Sequence, residues 1–136
     1  MAVKIVDNTK DREYNSRMDG FMKSTTVQDQ AELDDIVRRI AETASPDRIL
    51  LFGSAARGTT HLQSDLDFLI VKPGRYNARK VAGAIYLRMR GIARPIDLVV
   101  VTPQQVEKYR NSPFSVVYPA LREGKVVYER KKTIAR

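Results

Sequence analysis

Two acidic residues at the start of an apolar segment are the residues in this chain best suited to chemistry. Asp65 and Asp67 precede Phe68-Leu69-Ile70-Val71. Residues two apart in a strand project from the same face, about 6.6 Å apart along the chain. Carboxylates this close repel each other unless a cation lies between them. Mg²⁺ prefers oxygen ligands and also binds phosphate, so this pair predicts a site for Mg²⁺ and a phosphorylated substrate.

A third acid has a similar setting later in the chain. Asp97 lies near the start of the apolar segment Pro95 to Val101. If the two segments form neighbouring strands, Asp97 converges with Asp65 and Asp67. Three carboxylates that hold two metal ions suit an in-line displacement at phosphorus. The alternative, that each acid only marks a solvent-exposed strand end, explains one acid better than it explains three.

The segment after the first predicted strand could hold the phosphates. Gly53 allows a close backbone approach or a positive φ, and Ser54 adds a hydroxyl group. The first amides of a following helix would offer donors to an anion, and Arg57 could reach the same triphosphate. Taken alone, a Gly-Ser turn is common, Arg57 could be a surface residue, and His61 is better explained as a solvated loop residue. The absence of a Walker-type loop and of a His-rich cluster disfavours P-loop and zinc chemistry.

Composition limits the classes of protein that fit. The chain has 136 residues, of which 43% are hydrophobic, and it has no Cys. This favours one globular domain without disulfides, and the lack of a long apolar run favours a cytoplasmic protein with no membrane contact. The net charge is +8. No acid occurs between Phe68 and Ile96, whereas seven cations lie in residues 72–94, which indicates either a polyanion-binding surface or a solvated basic face.

The order of elements predicts an α+β fold, in which helices pack against one mixed β-sheet. We expect an N-terminal arm at residues 1–25, one domain at 26–130 and a basic tail at 131–136. The predicted elements are a helix from the Thr26 cap to Ala44 with Ala31 on its apolar side, a strand at Arg48–Phe52, a strand at Asp65–Val71, a helix from Asn77 to Gly91, a strand at Pro95–Val101, a helix from Pro103 to about Arg110 that begins with a capping box, a helix from Ser112-Pro113 to Gly124 with Phe114 turned inward, and an edge strand at Lys125–Tyr128.

The combined motif resembles the polymerase-β-type nucleotidyltransferase superfamily. It comprises Gly53-Ser54-x-x-Arg57-Gly58, then Ser64-Asp65-x-Asp67, then Asp97, and its closest likeness is to the minimal nucleotidyltransferases, over about residues 30–128. The resemblance implies the mixed-sheet fold of that superfamily and a transfer of AMP from ATP that needs Mg²⁺, with two ions expected. It implies that the triphosphate is bound by Gly53, Ser54, Arg57 and Ser64, that the metal ligands are Asp65, Asp67 and Asp97, and that Asp97 helps to deprotonate the acceptor hydroxyl.

The resemblance also implies a partner. Members of this branch are often antitoxins paired with HEPN-domain toxins, and some adenylylate a tyrosine of the toxin. Three alternatives stay open: transfer to RNA, such as a tRNA end bound by the basic segment 72–94, an antitoxin that acts only by covering the toxin, and transfer to a small molecule. The sequence leaves open the nucleotide base, the acceptor, the number of AMP units added and the oligomeric state.

Overall fold

A computed structural model describes residues 27–53, 56 and 65–131 of the chain. This part of the chain contains four α-helices and four β-strands of defined extent. In chain order they are α1 (Val27–Ala44), β1 (Arg48–Phe52), β2 (Leu66–Val71), α2 (Ala78–Leu87), β3 (Ile96–Val101), α3 (Pro103–Tyr109), α4 (Val117–Glu123) and β4 (Lys125–Glu129). No helix in the described ranges has the length and apolar character that a bilayer span requires.

The four strands form one mixed sheet in the order β3-β2-β1-β4. Strand β1 pairs antiparallel with both β2 and β4, whereas β2 and β3 pair in parallel. The parallel pair needs a crossover, and α2 supplies it between β2 and β3. The predicted α+β class with a mixed sheet and packed helices is therefore confirmed, and β4 lies at an edge of the sheet as predicted.

One face of the sheet carries the larger core. Helices α1 and α2 cover this face, because their apolar residues recur at helical spacing. On the strands, alternate residues such as Ile49, Phe68 and Ile70 point into this core and are fully buried. The helical residues buried against them are Ile36, Val37, Ile40, Ala41, Ala44 and Ile85.

The opposite face is covered less completely. Among the described helices, only α3 and α4, of seven residues each, lie on it. Leu50, Leu69 and Val117 are buried there, whereas Phe52 and Val99 are only partly buried. Because Leu69 belongs to this face, strand alternation places Asp67 on it as well, as the sequence predicted.

Most predicted boundaries hold to within one or two residues. The cap of α2 at Asn77 is present, since its side chain accepts a hydrogen bond from the Lys80 amide. The capping box of α3 is present too, formed by Thr102 and Gln105. Both caps satisfy amide groups that the first helical turn leaves without partners.

Two helix boundaries and two burial assignments were wrong. The α2 helix ends at Leu87 rather than at Gly91, because Arg88 and Met89 bond to carbonyl groups three residues back instead of four. The α4 helix begins at Val117, so Phe114 lies in the preceding turns and is 99% exposed. In α1, Ala31 is exposed although its spacing predicted burial. The predicted arm at 1–25, the cap at Thr26 and the tail beyond Lys131 lie outside the described residues.

Burial of Tyr128 in β4 predicts a dependence of stability on pH. The side chain is fully buried, and its hydroxyl group has no hydrogen-bond partner among the described residues. Burial raises the pKa of Tyr128; the nearby Arg130 charge opposes this rise, and Asp47 adds to it. The unfolded chain, with an ordinary tyrosine pKa of about 10, therefore ionises first, and the folded state loses stability as the pH rises above that value.

We therefore expect Tyr128→Phe to be at least as stable as the wild type at pH 8, by up to roughly 1 kcal/mol, because it removes a buried hydroxyl without a partner. Its advantage should grow when the pH is raised above about 10. Urea unfolding of both proteins at pH 8 and at pH 10.5 measures this difference. A difference that stays constant across the two pH values would contradict the prediction.

Candidate active site

The sheet brings two of the three predicted acids side by side. Asp67 near the start of β2 and Asp97 near the start of β3 are register partners in the parallel pair. Parallel strands in register point the side chains of paired residues to the same face. Asp67 is half-buried and Asp97 is exposed, so the pair lies where the sheet meets solvent. The sequence predicted that these two residues converge if their strands are neighbours, and the strands are neighbours.

Asp65 lies one residue before β2 and is exposed. The backbone at this point is held to β3, because the Leu66 amide donates to the Pro95 carbonyl at 3.0 Å. This bond fixes the start of β2 beside the start of β3. Asp65 therefore lies at the same end of the sheet as the paired acids, and its role as a ligand stays a prediction.

Gly53 lies beside this acid pair, on the side of β1. Phe52, the last residue of β1, is the register partner of Asp67, so the chain turns at Gly53 directly beside Asp67. Gly53 has a φ of +77°. A Cβ atom at this position would lie 2.4 Å from Oδ2 of Asp67 and 3.3 Å from its Cγ. Only glycine fits both the backbone conformation and the space.

The site therefore consists of the turn at Gly53, the Asp67 carboxylate directly beside it, and the Asp97 carboxylate on the neighbouring strand β3. The sequence predicted that Gly53 permits a close approach of a phosphate, but it did not reveal the contact with Asp67. A strand that ends in glycine opposite a strand that starts with an acid could have indicated it, because antiparallel pairing joins the end of one strand to the start of the next.

Comparison with known protein families found a match for this chain. The nucleotidyltransferase domain family matches the sequence over residues 32–133. This chain belongs to that family. The match covers every described element from within α1 to β4, and it includes Gly53 and all three acids. Among curated proteins no match to the sequence was found.

Two solved structures show the likeness of the fold. A candidate nucleotidyltransferase from Sulfolobus solfataricus superposes with a TM-score of 0.51 at 21% identity, and the alignment covers 95% of this chain and 96% of that one. A chain from a crystal structure of a toxin–antitoxin with AMP-PNP has a TM-score of 0.48 and 19% identity, and it covers 72% and 74% of the two chains. The first likeness supports the polymerase-β-type fold that the sequence predicted.

The other predicted nucleotide-binding residues of this nucleotidyltransferase domain cannot be placed. Ser54, Arg57 and Ser64 lie outside the described residues, as does His61. Within the described ranges, no group of three or more His, Cys, Asp or Glu side chains is arranged to hold a metal ion. The geometry of the site therefore rests on Gly53, Asp67 and Asp97.

The basic segment of the nucleotidyltransferase domain divides into structural and exposed cations. Arg94 is only 9% exposed and forms ion pairs with Asp29 and Glu32 of α1, at 3.6 and 3.8 Å. Lys72 donates to the Ala44 carbonyl at 2.7 Å. The remaining cations are exposed, namely Arg75, Arg79, Lys80, Arg88 and Arg90. Two of the seven cations therefore hold α1 against the strands, and a count from sequence overestimates the charge available to a polyanion.

Proposed function

We propose that this protein transfers AMP from ATP to a hydroxyl group of a partner protein, with tyrosine as the acceptor side chain and a HEPN-domain toxin as the partner. Membership of the nucleotidyltransferase domain family supports an enzyme that transfers nucleotides. The observation that carries the proposal is the register pairing of Asp67 with Asp97 beside Gly53. Since ATP is the proposed substrate, we place the protein in the cytoplasm.

The residues of the site fit Mg²⁺. Carboxylate oxygens are the ligands that Mg²⁺ prefers, and this ion is usually bound by one or two carboxylates together with substrate phosphates. The two paired acids meet that need without a third protein ligand in the described structure. Gly53 itself places no side chain against Oδ2 of Asp67, whereas a Cβ atom at this position would lie 2.4 Å from it. Asp67 and Asp97 would hold the metal, with Asp65 as the further ligand, and bound Mg²⁺ would neutralise phosphate charge.

The residues of the chain then have distinct roles. The Gly53 turn, with Ser54, Ser64 and Arg57, binds and orients the triphosphate. Asp97, the more exposed of the paired acids, receives the proton of the acceptor hydroxyl and passes it to water. A bond forms between the hydroxyl oxygen and the α-phosphorus, the bond between that phosphorus and the bridging oxygen breaks, and pyrophosphate leaves.

The direct test uses labelled ATP, Mg²⁺ and the purified product of the neighbouring gene. We expect a mass increase of one or more AMP units on a tyrosine of that protein, and we expect none without Mg²⁺. A neighbouring protein that is bound but never labelled would contradict catalysis. An Asp65→Ala, Asp67→Ala double variant that still protects cells would show that covering the toxin is sufficient.

The exposed cations of the basic segment favour RNA as the second candidate acceptor. Arg75, Arg79, Lys80 and Arg90 are all exposed and could contact phosphates. Phosphate contacts release counterions, so binding to a tRNA should weaken steeply between 50 and 200 mM salt. Labelling of the 3′ end of a tRNA, and not of a protein, would establish this candidate in place of the first.

A further inference from the structure

The outer side of β3 is open in the described part of the chain. Strand β3 pairs with β2 on one side, and no described strand pairs with it on the other. Its three middle residues Leu98, Val99 and Val100 are only half-buried, whereas the corresponding residues of β2 are fully buried. An apolar strand with a free edge can take up a further strand.

Hydrogen bonds to β2 determine which groups face this edge. The carbonyl groups of Pro95 and Val101 accept from β2 and from the residue that follows it, at 3.0 and 2.8 Å. Because backbone groups alternate in direction along a strand, the odd-numbered residues of β3 face β2. The amide and carbonyl groups of Leu98 and Val100 therefore face away from β2, along the open edge.

One side of α2 borders that edge. The Tyr86 hydroxyl donates to the Ile96 carbonyl at 3.0 Å, which is the first of the outward-facing carbonyl groups. Arg79 and Gly83 share a helix face with Tyr86, because they lie seven and three residues before it. Apart from the neighbouring backbone of α2, no atom of the described residues lies within 4 Å of the position that a Cβ on Gly83 would take. The space beside Gly83 is therefore open, between the exposed side chains of Arg79 and Tyr86.

We propose that the acceptor protein docks at this edge as an extended acidic segment and adds a strand to β3. Its backbone would bond to Leu98 and Val100, and an acidic side chain would pair with Arg79. The inference rests on the proposed function, because the docked strand would run past Asp97. Neighbouring strands are about 4.8 Å apart, so a hydroxyl side chain on the matching face of the added strand would lie beside the Asp67–Asp97 pair.

Amide hydrogen exchange in the full-length protein tests the docking edge. In the free protein we expect the amides of Leu98 and Val100 to exchange at least tenfold faster than that of Val99, which faces β2. The probe is a seven-residue peptide of alternating Glu and Val with one Tyr, and it should slow both outward amides at least tenfold. The same peptide with methyl groups on its alternate amide nitrogens should have no effect.

Three outcomes of this exchange experiment would overturn the docking proposal. If Leu98 and Val100 are protected in the free protein at every concentration, another part of the chain already covers the edge. If their protection increases with protein concentration, a second copy covers it. Absence of protection at millimolar concentrations of the peptide would overturn the proposal as well.

A matched pair of variants tests the link between docking and transfer. Gly83→Gln fills the open space and improves helix propensity, so the fold should be retained. Ala84→Gln is the control, because Ala84 is exposed one position further along and lies on another face of α2. We expect Gly83→Gln to lower AMP transfer to the peptide at least tenfold, with ATP affinity unchanged in calorimetry, and Ala84→Gln to behave as the wild type.

The two proposals fail in different ways. A peptide that protects Leu98 and Val100 but is never labelled would refute protein adenylylation and leave the docking edge in place. A peptide that is labelled equally by the wild type and by Gly83→Gln, without protection of either amide, would refute the docking edge and leave adenylylation in place.

Discussion

Asp67→Asn should reduce nucleotidyl transfer by at least about a hundredfold and leave the protein folded. A metal-bound phosphate site contributes several kcal/mol of transition-state stabilisation, and each 1.36 kcal/mol is a factor of ten in rate. Asn keeps the shape of the side chain but removes its charge, so it is a weaker ligand for Mg²⁺. Asp67 lies between Gly53 and Asp97, which makes it the acid whose loss should affect the site most.

The loss of activity in Asp67→Asn should not be accompanied by a loss of stability. In buffer without Mg²⁺, removal of one of two neighbouring carboxylates relieves their repulsion, so the free energy of unfolding should be unchanged or slightly higher. Asp34→Asn is the matched control, since Asp34 is an exposed acid on α1 that accepts a hydrogen bond from Gln30. It should retain full activity. Transfer rates and urea unfolding of the three proteins test this prediction, and full activity of Asp67→Asn would refute the proposed site.

Gly53→Ala should lower stability moderately and remove most of the activity. At a φ of +77° an Ala is strained, which costs about 1–2 kcal/mol. The new Cβ would lie 2.4 Å from Oδ2 of Asp67, so one of the two must move. The end of a side chain moves more easily than the backbone of a sheet, so we expect the carboxylate to be displaced. The loss in transfer rate should be tenfold or more, because small displacements in an active site are costly.

Gly91→Ala is the control that distinguishes the effect of backbone strain from the effect of the close contact between a new Cβ atom and Asp67. Gly91 also has a positive φ, of +90°, but nothing lies within 4 Å of its Cβ position. This variant should lose a similar amount of stability and keep its activity. Thermal unfolding and transfer assays of both variants make the comparison. If both variants lose activity equally, the contact between Gly53 and Asp67 has no specific role in the reaction.

The residue pattern predicted the strands that form the site more accurately than it predicted the contacts between those strands. Strand alternation placed Asp67 and Leu69 on one face, and apolar runs of four residues located β1, β2 and β3. These features depend on local periodicity, which the sequence contains. The parallel register of Asp67 with Asp97 depends on which strands become neighbours, and the sequence supported this only as a conditional prediction.

Failures of prediction came from tertiary context. Phe114 has the spacing of a buried helical residue, but the chain between α3 and α4 forms turns and leaves it exposed. Arg94 belongs to the basic segment by sequence, but in the fold it forms ion pairs with Asp29 and Glu32 of α1. In both cases the surrounding tertiary structure decides whether the side chain is exposed or paired. A local pattern carries no information about such contacts.

The two faces of the sheet contribute differently to the protein: one holds most of the core that stabilises the fold, and the other holds the acids of the candidate site. The deep core lies between the sheet and the helices α1 and α2, whereas Asp67 and Asp97 share the other face with two helices of seven residues each. Substitutions near the acids therefore remove little packed apolar surface. Such a protein can change the molecules it acts on through variation on one side of its sheet, while the residues that keep it folded stay constant on the other.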